Sequence, residues 1–172
     1  LPRRHLIEHT FEIAEESLPG SVLNRDFHPS INLTDSEITW AEQEIKKVSD
    51  NKPLIWLQTK SRIPAKEVLA SIWEELISKG SGKYSFVDLA EEKYSRREAL
   101  ALTKCAHAGI TLDSFLLHGS QAVGAKNVIV ILVSTHPEVV CYPNQIVING
   151  TENREAISSK NILDLLEKIC KS

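Results

Sequence analysis

The sequence predicts an α/β fold in which a mostly parallel sheet is covered by helices on both faces. Two observations carry this. Short apolar, β-branched runs alternate along the chain with amphipathic helical segments. The run NVIVILVS at 127–134 is continuously apolar, as a strand buried on both faces must be. Composition agrees, because 172 residues that are 42% hydrophobic and 25% charged can close one compact domain around a core without disulfides or metals. The expected architecture is a Rossmann-like three-layer sandwich.

Each element has its own signal. Residues 4–17 carry Leu6, Ile7, Phe11, Ile13 and Ala14, continued by Leu18, at roughly helical spacing, and Leu-Pro-Gly at 18–20 ends the pattern. Residues 19–33 read as irregular. Thr34-Asp-Ser-Glu37 is a capping box that opens a helix over 35–49, with Ile38, Trp40, Ala41, Ile45 and Val48 on one stripe. A strand PLIWLQ (53–58) leads through the polar turn TKSRIP to a helix over 65–79, which Gly80 stops. In that helix Val68, Leu69, Ile72, Trp73, Leu76 and Ile77 form the apolar face. Then follow a strand YSFVDL (84–89), a helix over 95–108, a short strand GITL (109–112) and a helix over 114–124 opened by Asp113. The strand at 127–134, a last strand QIVI (145–148) and a helix over 158–171 bearing Ile162, Leu163, Leu165, Leu166 and Ile169 complete the chain. Residues 1–50 form an N-terminal helical or linker segment packing on a core domain of 51–172. The helix over 4–17 either packs on the sheet or belongs to an interdomain connection.

Charge and cysteine content narrow the function classes. Twenty Lys plus Arg against 23 Asp plus Glu give a net charge of -3, which offers no cationic field to nucleic acid. Cys105, Cys141 and Cys170 are far apart and show no ligand spacing, so free thiols in a reducing compartment are expected. The longest apolar run, Val128 to Val133, is too short to span a bilayer, and the start LPRRHLIEH has no signal-peptide core. A cytoplasmic location without a transmembrane segment follows. The sequons at Asn32 and Asn149 then carry no weight. The absence of Met points to a piece of a longer protein or a trimmed chain.

In a parallel sheet, ligands bind beyond the carboxyl ends of the strands, where helix N-termini collect. Attention therefore falls on the turns at 58–64, 88–95 and 112–118. In the last of these, Asp113 and Ser114 stand where a strand meets a helix, so their oxygens can cap it while its free amides face an anion. His118 follows Ser114 at i+4. The plainer reading makes Asp113 an N-cap and His118 a half-buried helix residue. In the first turn, Thr59, Lys60 and Ser61 combine a point charge with hydroxyl donors where a phosphate is commonly held, although a solvated loop is the plainer alternative and no glycine-rich phosphate loop exists. Glu91, Glu92, Lys93, Arg96 and Arg97 read as a solvated turn and helix start, and His107 as a helix C-terminal dipole contact. His5 and His9 lack further ligands, so no metal site is expected, and Cys105 has no base beside it.

Taken together, these turns resemble one family. INLTDSEITWAEQEI, IWLQTKSRIPAKEVLASIWEEL, VDLAEEKYSRREALALTKCAHAG and above all Asp113-Ser-Phe-Leu-Leu-His118-Gly-Ser-Gln-Ala122 with NVIVILVSTHPE follow a recognisable order. The run from about residue 30 to 148 resembles the C-terminal half of glycosyltransferase family 9, the heptosyltransferases of lipopolysaccharide core assembly, which have the GT-B fold. The resemblance implies that this half holds a nucleotide-diphosphate sugar. Asp113, Ser114 and His118 would line the diphosphate and sugar, the amides of 114–116 would cradle the anion, and Lys60 or Arg62 would neutralise the leaving diphosphate. It implies no cofactor and no metal. The general base belongs to the family's N-terminal acceptor domain, a missing partner, so no catalytic residue is assigned and the chain alone would bind donor without turnover.

Several positions depart from the family pattern. Phe115 stands where the family has glycine, Ile63 stands for the Trp of a Trp-Pro pair, and Lys60 is one position out of register. Only KGSGK separates the helix over 65–79 from YSFVDL, which predicts a sheet shortened by one βα unit. A degenerate, non-catalytic Rossmann-like interaction module is therefore the rival reading. Another nucleotide-binding α/β enzyme comes third.

Overall fold

The computed structural model describes residues 4–18, 20, 28–91 and 93–171. Pro19 and Glu92, and residues 21–27 of the segment read as irregular, lie outside the described residues. Five parallel strands, β1 (Leu54–Leu57), β2 (Ser85–Asp88), β3 (Ala108–Leu112), β4 (Val128–Leu132) and β5 (Ile146–Asn149), form one sheet in the order β2-β1-β3-β4-β5. The mostly parallel sheet expected from the sequence is parallel throughout. The helices are α1 (Leu6–Ser17), α2 (Asp35–Val48), α3 (Ala70–Gly80), α4 (Arg96–Cys105), α5 (Phe115–Ala122), α6 (Pro137–Val140) and α7 (Ser159–Ile169).

The period-two pleat sorts the strand residues into two cores. Leu54 and Trp56 of β1 and Val128, Val130 and Leu132 of β4 pack with Ala41 of α2, Ala99–Leu102 of α4 and Leu116 and Leu117 of α5. Ile55, Leu57, Ile110, Leu112, Ile129 and Ile131 face the other way, against Trp73 and Leu76 of α3 and Ile162 and Leu166 of α7. Every residue of β1, β3 and β4 is buried. Ile7 of α1 and Ile31 and Leu33 ahead of α2 rest against the first of these cores. Two capping boxes, Thr34 with Glu37 and Ser95 with Glu98, fix the starts of α2 and α4, and Arg97 joins them by donating to both Glu37 carboxylate oxygens at 2.6 Å.

The helix expected over 65–79 begins five residues later. Pro64–Lys66 forms a 3-10 turn, Glu67 and Leu69 are extended, and α3 starts at Ala70. The Glu67 carboxylate accepts from the Ser61 amide at 2.9 Å, which holds this segment back toward β1 instead of letting it wind. Leu69 is consequently 74% exposed and does not join the apolar face. The helix expected over 95–108 stops at Cys105, because the His107 amide donates to Leu54 O at 3.1 Å and the chain has already joined the sheet edge. His107 is therefore outside the helix whose dipole it was expected to meet.

From β1 the chain passes through α3 to β2 on one side, and from β2 through α4 to β3 on the other. The connections thus diverge between β1 and β3. In an open parallel sheet that divergence leaves a crevice at the carboxyl ends of the two strands.

Candidate functional site

A cavity of about 540 Å³ opens at that crevice. Gln58, Ser61, Arg62 and Ile63 line it from the turn after β1, Lys66 from the 3-10 turn, Arg96 from the start of α4, and Asp113, Ser114 and Phe115 from the β3–α5 junction. Backbone pairing ties the junction to the sheet. The Gln58 amide donates to Ile110 O at 2.9 Å, and the Thr111 hydroxyl donates to the Gln58 side-chain oxygen at 2.8 Å.

Asp113 is the anchor of the wall, at 7% exposure. Its Oδ2 accepts from the Thr135 hydroxyl and pairs with the Lys66 ammonium, both at 2.5 Å. The carboxylate is thus held from the loop after β4 and from the 3-10 turn. It does not cap α5, whose N-cap is Ser114 in an extended conformation with no side-chain cap bond. The capping role expected of the Asp113 and Ser114 oxygens is replaced by the ion pair, and the Ser114 side chain makes no cap bond to the first-turn amides of α5. The Ser114 hydroxyl oxygen is buried and has no hydrogen-bond partner among the described residues.

The residues singled out in the sequence divide between the wall and its surroundings. Ser61, Asp113 and Ser114 meet in the cavity. Thr59 does not line it, because its hydroxyl and its amide (3.4 Å) both donate to the Asp88 carboxylate at the end of β2. Lys60 is exposed and outside the wall, where Arg62, Lys66 and Arg96 supply the positive charge. His118 turns to the far side of α5, where its Nδ1 lies 3.0 Å from the Tyr142 hydroxyl and the His5 ring is 5.1 Å from the Tyr142 ring. Burial holds His118 below its ordinary pKa, against the opposing pull of Asp113, so the imidazole is neutral at pH 7. Burial, aided by Asp113, pushes the Cys141 thiol up to about 11, so it is no thiolate.

Lys66 and Arg96 are the cations of the cavity wall that sequence periodicity missed. Lys66 was assigned to a helix that does not form there, and Arg96 to a solvated charge run. The Pro64 that starts the 3-10 turn was the available signal. Phe115 lines the cavity without plugging it. Its ring lies within 3.9 Å of the position a Cβ would take on Gly119, one turn further along α5.

Chemically, the wall joins three cations, one carboxylate and a helix N-terminus. Such a set is chemically suited to an anion with more than one charge. Among the described residues no three His, Cys, Asp or Glu side chains gather to hold a metal. No described helix is long and apolar enough to cross a membrane.

Comparison with solved structures adds the fold's kinship. A glycosyltransferase of family 9 from Veillonella parvula DSM 2008 superposes with a TM-score of 0.75 over 98% of this chain at 15% identity. The fold is that of part of a family 9 glycosyltransferase. ADP-heptose heptosyltransferase II of E. coli matches with a TM-score of 0.65 over 90% of the chain at 15% identity. The E. coli heptosyltransferase WaaC, solved with ADP, matches with 0.61 over 98% at 16% identity. The chain spans 61%, 56% and 58% of those three proteins. No family model and no curated protein matches it.

Proposed function

We propose that this chain is the donor-binding part of a glycosyltransferase that moves a sugar from a nucleotide-diphosphate sugar to a carbohydrate acceptor, acting in the cytoplasm. The observation that carries the reading is the Lys66–Asp113 pair set against the uncapped N-terminus of α5 at the β1/β3 crevice. The diphosphate lies across the first-turn amides of α5 and accepts from the Ser114 hydroxyl. Lys66, Arg62 and Arg96 balance its charge, most of all as the glycosidic bond breaks and the leaving nucleotide becomes more negative. Asp113 keeps Lys66 in place and, through Thr135, stays fixed itself. Lys60, outside the wall, adds long-range attraction only. The base that activates the acceptor hydroxyl comes from a second domain, so this chain alone binds donor and transfers nothing.

The test is calorimetric titration of the 172-residue chain with ADP, UDP, GDP and their sugar conjugates. One of these nucleotides binds, and Lys66→Met weakens it by about tenfold or more, as loss of a charged hydrogen bond does. Lys60→Ala weakens it less. A folded chain that binds none of them overturns the reading in favour of a non-catalytic module.

A further inference from the structure

Two of the largest exposed apolar side chains stand on opposite elements of the same cationic cavity. Phe115, the first residue of α5, is 46% exposed, and Ile63, in the turn after β1, is 50% exposed. Both belong to the wall that also contains Arg62, Lys66 and Asp113. The Phe115 ring has neither an aromatic nor a cationic partner among the described residues. Leaving such surface in water is unfavourable by roughly 25 cal/mol for each Å², and an apolar patch rimmed by polar groups marks a binding face.

The neighbouring groups define what covers it. Asp113 is the carboxylate of the wall, and both of its contacts fall on Oδ2, leaving Oδ1 to accept from a hydroxyl. A carboxylate repels a diphosphate, so the corner shared by Asp113 and Phe115 suits a neutral part of the ligand that carries hydroxyl donors. A pyranose ring has that character. Its equatorial hydroxyls point outward near the plane of the ring, and its axial C–H bonds, polarised by the neighbouring oxygens, sit on the negative face of an aromatic ring. Resting on the reading above, we propose that Phe115 and Ile63 are specificity-determining residues that grip the transferred sugar of the donor, Phe115 by its face and Ile63 from the opposite lip. The chain thereby prefers a nucleotide sugar to the bare nucleotide. The bulky side chain at position 115 gives up room at the diphosphate and gains a surface for the sugar.

The experiment compares ADP with ADP-heptose by calorimetry on the full 172-residue chain, in wild type, Phe115→Ala, Phe115→Tyr and Ile63→Ser. In wild type ADP-heptose binds more tightly than ADP. In Phe115→Ala the ratio of the two affinities falls by about fivefold to tenfold, the scale of one aromatic contact, while ADP alone changes by less than about twofold. Phe115→Tyr keeps the ratio, and Ile63→Ser lowers it in the same direction. If Phe115→Ala strengthens both ligands equally, the ring only obstructs and the proposal is wrong. If it weakens both equally, the ring meets the nucleotide and the proposal is again wrong. In either case the donor-binding reading survives, provided Lys66→Met still weakens ADP. If neither ligand binds the folded wild-type chain, this proposal fails, and the donor-binding reading fails with it only if UDP, GDP and their sugar conjugates do not bind either.

Discussion

Gly109→Ala tests the packing that sets the crevice. Gly109 in β3 pairs directly with Trp56 in β1, and both face the same core. A Cβ on Gly109 would stand 1.7 Å from Trp56 Cε2, 2.1 Å from Cζ2 and 2.2 Å from Nε1. Carbon atoms rest at about 3.5–4.0 Å, so the indole must retreat by roughly 2 Å. Trp56 is 0% exposed and bounded by close-packed side chains, which leaves it no such path. Overpacking of this kind costs about 1–3 kcal/mol and sometimes more. Replacing glycine by alanine returns about 0.4–1 kcal/mol through the unfolded chain where the native backbone accepts it. A net loss of about 2 kcal/mol is expected, a large share of the roughly 5–15 kcal/mol that holds a domain together.

Urea denaturation followed by circular dichroism reads this as a lower midpoint at unchanged slope. Trp56→Val removes the ring atoms that the new methyl meets, together with an Nε1–H that has no partner among the described residues. In that background Gly109→Ala should cost close to nothing, a coupling of about 2 kcal/mol. A Gly109→Ala chain within about 0.5 kcal/mol of wild type, or two costs that simply add, refutes the reasoning.

Two further outcomes concern pH. His118 is held below its ordinary pKa by burial, so the unfolded chain takes up a proton near pH 6.5 before the folded chain does. Its contribution is complete above about pH 6.5 and is lost as pH falls below that toward the folded value, so His118→Gln flattens the stability–pH slope on the acid side of about pH 6.5. Hydrogen bonds from Arg97 and then the Thr34 amide hold the Glu37 carboxyl at about 2. Its stabilisation is present above the ordinary value of 4.5 and fades as pH falls toward 2, so Glu37→Gln removes that part of the acid limb and leaves the neutral region's slope unchanged. Acid unfolding of wild type and variant at matched ionic strength checks both. Thr135→Val removes the hydroxyl that holds Asp113, and weaker ADP binding with an unaltered urea midpoint is the expected pattern.

The fold was legible where periodicity and burial coincide. The β-branched run 127–134 became β4, buried throughout, and the capping box at Thr34 opened α2 as read. Helix ends were less legible because a competing partner decides them. Glu67 answers the Ser61 amide and delays α3, and His107 pairs with the Leu54 carbonyl and ends α4 early. The link from α3 to β2 is only four residues, 81–84, and the KGSGK noted in the sequence straddles the end of α3. At the site, Asp113, Ser114 and Ser61 could be found because a strand–helix junction has a recognisable composition. Lys66 could not, since its approach to Asp113 depends on a 3-10 turn that the apolar pattern of 65–79 conceals. His118 lies within one turn of the mouth, yet which side of α5 it occupies depends on Tyr142, far along the chain. Phe115, which stands where the family has glycine, is found among the residues lining the cavity.

The most direct measurement of the central claim is a residue-resolved titration with ADP, following backbone amide resonances of the isotope-labelled chain. The account predicts the largest shifts at the amides of residues 114–116 and around Lys66, saturating together with one affinity. Shifts concentrated elsewhere, for example in the groove between β5 and α7, or no shifts at all, would contradict it.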